Sequence, residues 1–149
     1  MFLAWQPPPC GFSKLNIDGS RVSASGCIAA GGIIRNYEGS WIAGFSANLG
    51  HGEVLVAEAW ALYYGLNLAW QMGLRQITVN SDSALVVDMI NGEWVDSHPM
   101  ETNFAADFLA KMGHHKELGY HELSSPPDLM QPILDADKNG LLRPRFVSV

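Results

Sequence analysis

Three apolar runs succeed one another between Lys14 and Gly50, and the shortness of what joins them leaves little choice of fold. They are KLNID (14–18), CIAAGGIIRN (27–36) and WIAGFSANLG (41–50). Short runs rich in isoleucine and bounded by Gly and Asn read as strands. NYEGS, between the second and third, supplies Asn36 and Gly39 for a hairpin turn. No crossover fits such connections, so the strands form an antiparallel meander. The period then changes. From Val54 to Met72, Leu55, Ala59, Leu62, Leu66 and Ala69 recur at helical spacing, and Gly73 supplies the stop. QITVN (76–80) is a short buried strand that follows a helix and therefore enters the sheet parallel to an earlier strand. SALVVDMIN (83–91) and NFAADFLAKM (103–112) predict two further helices. The order β-β-β-α-β-α-α predicts an α/β or α+β fold, a mixed sheet with helices packed on it.

The chain of 149 residues suits one domain, with 48% apolar residues and a mean hydropathy of +0.04. Residues 1–13 form a Pro-rich leader, 14–113 the domain, and 114–149 an irregular, Pro-interrupted tail. No apolar run approaches the ~20 residues that span a bilayer, and no membrane partner is expected. The start, MFLAWQPPPC, lacks the marks of a secretory signal. Cys10 and Cys27 form no metal-ligand pattern and read as reduced thiols of an intracellular protein, nuclear or cytoplasmic. The formal charge is −6, and between Leu15 and Ala110 three basic residues (Arg21, Arg35, Arg75) face ten acids. A protein that holds nucleic acid through its own cations shows the reverse, so such a role here needs metal ions or a helper domain.

The acids are placed suggestively. Asp18 ends the first strand and Asp82 follows QITVN, so parallel pairing of these strands sets the two side by side. Open α/β sheets keep their sites in that crevice. Glu58 lies near the start of the long helix, and Asp107 on the last one. Each also has an ordinary explanation: a turn for Asp18-Gly19, an N-cap for Asp82, the helix dipole for Glu58, a solvent face for Asp107. Gathered together, like charges raise each other's pKa, and hard divalent ions offset this.

Several blocks together resemble the ribonuclease H type 1-like domains abundant in plant genomes, many of them retroelement-derived. The matching stretches are W-x-P-P-P-x-G-F-x-K-L-N-x-D-G-S, GGIIRNYEGSWIAGFSANLG, AEAWALYYGLNLAW, SDSALVVDMIN and NFAADFLAKMG. The resemblance implies a mixed sheet flanked by helices, two Mg²⁺ ions (Mn²⁺ as a substitute), and endonucleolytic hydrolysis of the RNA strand of RNA–DNA hybrids by a monomer. It assigns metal binding and catalysis to Asp18, Glu58, Asp82 and Asp107, and places Gly19, Ser20 and Ser83 near the hybrid backbone.

The chain departs from this family after Met100. Only Glu101 and Thr102 separate Met100 from Asn103, where the family carries a further helix and a last strand, on the order of 20 residues or more. An internal deletion therefore predicts a four-stranded sheet with one more exposed edge. Asp107 completes the site only if the shortened tether, close to His98, lets it reach. The family's loop histidine has no counterpart. A second reading follows, a non-catalytic remnant that binds nucleic acid weakly or serves as a protein-interaction module. DADKNG (135–140) lacks the twelfth-position glutamate of a calcium loop and reads as a chance turn. His114-His115 reads as a solvated pair. Trp41, Trp60 and Trp70 read mostly as core.

Overall fold

The computed structural model describes residues 2–83 and 101–144. Most of the helix expected over 83–91, and His98, lie outside the described residues. The elements are β1 (Phe2–Leu3), β2 (Ser13–Arg21), β3 (Cys27–Arg35), β4 (Trp41–His51), α1 (Val54–Gln71), β5 (Ile77–Ser81), α2 (Phe104–Gly113), β6 (Gly119–Leu123), α3 (Gln131–Lys138) and β7 (Arg143–Pro144). The mixed sheet runs β5-β2-β3-β4-β6, with β2 and β5 parallel and the other pairs antiparallel.

α1 covers one face of the sheet, and α2 with α3 the other. Leu15, Ile17, Ala30, Ile34 and Phe45 pack beneath α1. Ile33, Leu109, Met130 and Leu134 fill the opposite side. Strand alternation explains the split, because Leu15 and Ile17 point one way while Asn16 and Asp18 point the other. No helix among the described residues is long and apolar enough to cross a membrane.

Three expectations need correction. The sheet has a fifth strand, β6, which pairs antiparallel with the β4 edge from Gly44 to Ala47. The segment read as an irregular tail therefore carries β6 and α3, and β7 pairs with β1. DADKNG is not a free turn either: Asp135 to Lys138 belong to α3, and Asp137 is buried. The helical periodicity of this part is short and broken by prolines, which hides it in the sequence.

The buried stripe of α1 is also displaced. Ala57, Ala61, Gly65, Leu68 and Ala69 face the sheet, while Leu55 and Leu66 are exposed. Trp60 is 44% and Trp70 65% exposed, so neither is core. Close approach is the reason. A Cβ at Gly65 would stand 2.7 Å from Leu15 Cδ2. Small residues let the helix lie flat on β2, which turns the large apolar ones outward.

Candidate active site

The register of the parallel pair sets the site. Ile17 lies opposite Ser81, so Asp18 and Asp82, the next residue of each chain segment, emerge together at the same end of the sheet. Glu58 comes from the α1 layer and passes β2 at Gly19. A Cβ there would lie 2.7 Å from the Glu58 amide nitrogen and 2.8 Å from its Cγ. Asp107 comes from the other layer. Asn103 starts α2 and its Nδ2 donates to the Ile17 carbonyl at 2.9 Å, one residue before Asp18. The helix is drawn equally close further along, since a Cβ at Gly31 would fall 2.2 Å from the Ala110 nitrogen.

Asp107 therefore does reach Asp18 despite the short tether. Burial, then the charges of Asp107 and Asp82, a hydrogen bond with Asp107 and finally the charge of Glu58 push the Asp18 carboxyl up to about 8. Such a group holds its proton where an ordinary carboxyl has lost it. Glu58 is raised too, by burial first and by Asp82, against a hydrogen bond with Ser83 that works the other way. Asp107 also pairs with Lys111, 2.9 Å away. Among the described residues, no group of three or more His, Cys, Asp and Glu side chains is gathered closely enough to hold a metal ion as it stands. The donor set is nonetheless all carboxylate oxygen, which hard divalent cations prefer, and mutual repulsion is what such a cation relieves. The residues fit the group.

The reverse transcriptase-like family model matches residues 16–112. The chain belongs to that family. Against a curated relative, the "Putative ribonuclease H protein" of Arabidopsis thaliana, it is 32% identical over 169 residues, covering 97% of this chain and 27% of the relative. The chain thus spans about a quarter of that relative's length. That match is longer than this chain, as an internal shortening would make it. The fold is that of the N-terminal RNase H domain of a Mycobacterium tuberculosis protein, with a TM-score of 0.62, 23% identity, and coverage of 70% of this chain and 94% of that one. RNase H1 from the archaeon Halobacterium salinarum gives 0.60 at 23% identity, covering 69% and 97%.

Against that family pattern, this member shows contacts that motif reading did not find. Asn103 anchors α2, and His114 Nε2 lies 2.9 Å from Ser20 Oγ, so His114 is not simply solvated. A polar residue at a helix start was the available signal for Asn103; nothing local marks the His114 contact. Gly19 faces the Glu58 backbone rather than open solvent. Gly19→Ala is expected to push the first turns of α1 off β2, at a cost of about 1–3 kcal/mol. Thermal unfolding reads the stability loss. A Tm unchanged within a degree would show that the helix accommodates the methyl.

Proposed function

We propose that this domain is a metal-dependent ribonuclease that hydrolyses the RNA strand of RNA–DNA hybrids, with Asp18, Glu58, Asp82 and Asp107 forming its acidic centre. The observation that carries the reading is the crowding at Asp18, where burial and then three acids from separate elements raise the affinity of one carboxyl for a proton. A purely structural carboxylate is ordinarily placed the opposite way, beside a cation or several donors. Bound there, Mg²⁺, or Mn²⁺ in its place, would supply charge against the scissile phosphate and acidify an attacking water.

The chain's own residues do the rest. Asp18, at the centre, shares a proton with Asp107 and would hold the ion as a carboxylate. Glu58 is oriented by Ser83, and Asp107 by Lys111 and by the Asn103 anchor. Ser20 and Ser83 line the approach of the hybrid backbone, Gly19 instead lets α1 pass close to β2, and the RNA strand is distinguished through its 2′-hydroxyl. LC11-RNase H1, bound to an RNA/DNA hybrid, shares the fold at a TM-score of 0.51 and 24% identity, covering 68% of this chain and 74% of that one.

The test is cleavage of a labelled hybrid in Mg²⁺, with Asp18→Asn as the control. Hydrolysis that needs the ion, leaves 3′-hydroxyl and 5′-phosphate ends and vanishes in Asp18→Asn is the expected result. No cleavage by the unaltered chain at high concentration removes the reading. The acidic balance favours the second reading, a non-catalytic nucleic-acid-binding or protein-interaction module. Hybrid binding without cleavage would establish it.

A further inference from the structure

We infer that the C-terminal end of α2 and the turn after it, KMGHHK at 111–116, form a contact site for the sugar-phosphate backbone of a nucleic acid along the edge of the acidic centre. The choice of nucleic acid as the polyanion rests on the ribonuclease reading. An acidic chain that acts on a polyanion has a difficulty, since its centre repels the substrate it must hold. Three of its nine lysines and arginines are already engaged: Lys14 and Arg35 are buried in pairs with Glu101 and Asp137, and Arg75 stacks on Trp70. Residues 111–116 hold two lysines and two of the five histidines.

Their placement is specific. Asp107, Lys111 and His114 follow at i, i+4 and i+7 and so share one face of α2. Asp18 and Ser20 likewise share one face of β2. Helix and strand are joined by two rungs, Asp18 with Asp107 and Ser20 with His114. The cationic segment therefore begins where the acids end. Lys111 is 67% exposed even while paired with Asp107. With His115 and Asp107 it forms the polar rim of a recess of about 500 Å³ whose remaining walls are the apolar Phe104, Phe108, Met112 and Ile133. The turn beyond is fixed, because Asn48 Nδ2 donates to the Lys116 carbonyl at 3.0 Å. His114 serves as a post that holds this turn rather than as a charge, since burial and the neighbouring His115 keep it below the usual histidine range.

Cations at a helix C-terminus also complement the helix dipole, by about 0.3–1 kcal/mol. That explains Lys111, in the last turn. It does not explain His115 and Lys116, which lie past the end of the helix, where the dipole's influence has faded. A backbone phosphate held on this edge would lie beside the centre that acts on its neighbour.

Hybrid binding by the full chain carrying Asp18→Asn, measured across a salt series, tests the inference. Replacing Lys111 and Lys116 together by Gln is expected to weaken binding roughly tenfold. The slope of log K against log salt should fall by about 2, one per lost phosphate contact. Arg75→Gln, equal in charge change per residue but in the connection between α1 and β5, should leave the slope unchanged. An unchanged slope in the double variant, an equal effect of Arg75→Gln, or no hybrid binding by Asp18→Asn overturns the site. Cleavage by the unaltered chain with an unchanged slope would leave the ribonuclease standing and remove only this contact. A reduced slope without cleavage would do the reverse.

Discussion

Freed of divalent ions, the protein should lose stability as pH rises from about 4 to about 8, and Asp18→Asn should remove most of that loss. The cause is the proton that Asp18 keeps in the folded state. Its ordinary value is 3.8, and burial with the fields of Asp107, Asp82 and Glu58 lifts it to about 8. Below the ordinary value both folded and unfolded chains hold the proton, and folding is unaffected. Between the two values only the folded chain holds it, so each step up in pH favours the unfolded chain. Above about 8 the folded state carries the full repulsion. Asparagine has no charge to repel. At pH 8 with a chelator, Asp18→Asn should therefore be more stable by ~2 kcal/mol, well short of full linkage because relaxation and solvent dilute it. That corresponds to a Tm higher by about 4–8 °C for a chain of this size. At pH 4 the two proteins should melt together. Mg²⁺ should reverse the order at pH 8 by stabilising only the chain with the carboxylate, and cleavage by the variant should fall by on the order of 1,000-fold. A pH-independent difference between the two proteins would show that the acids do not share one pocket. The same substitution thus reports stability and activity in opposite directions, as expected where function stores unfavourable charge.

Much of this arrangement is legible in the sequence because Asp18 and Asp82 come at matching places along two parallel strands, although β2 runs on to Arg21, so Asp18 lies inside its strand rather than ending it. KLNID and QITVN each alternate polar and apolar residues as strands do, and parallel pairing then brings Asp18 and Asp82 together. What stays hidden is whatever depends on partners distant along the chain. β6 is only five residues, GYHEL, and alternates polar and apolar so briefly that the β4 edge, not its own propensity, makes it a strand. The buried stripe of α1 misleads in another way, since periodicity favours the largest apolar residues and the sheet selected the smallest. Ala57, Ala61 and Gly65 are inside because β2 comes close, and that closeness appears in no local pattern. The same is true of Asp107. Counting residues after Met100 left open whether α2 could reach the site, and the anchor from Asn103 to Ile17 is what brings it there.

The segment from 124 to 144 should prove indispensable, because a buried charge on β3 depends on it. Arg35 is 1% exposed, and its Nη1 donates to Asp137 Oδ2 of α3 at 2.8 Å. Its Nη2 donates to Asn16 Oδ1, which also accepts from Trp5 Nε1, and the guanidinium lies 4.2 Å from the Trp5 ring centroid. Lys14 and Glu101 pair nearby, with the Gln6 amide donating to Glu101 Oε2. Leader, sheet, the residues after 100 and the last helix thus meet at one buried polar network. Burial lowers the Arg35 pKa against the pull of Asp137, but an arginine does not escape by losing its proton. Asp137→Ala therefore strands a charge, at about 3–5 kcal/mol. Against a total stability of ~5–15 kcal/mol, that lowers Tm by about 6–20 °C or prevents folding. Ending the chain before 124 removes Met130 and Leu134 from the core as well and should yield no folded protein. Arg35→Met with Asp137→Leu separates charge from packing, since replacing a whole buried pair by apolar groups is often neutral. That double variant should fold with a Tm near the unaltered chain's while Asp137→Ala does not. Equal losses in both would assign the effect to shape, and a Tm for Asp137→Ala within 2 °C of the unaltered protein would return these residues to the status of a dispensable tail.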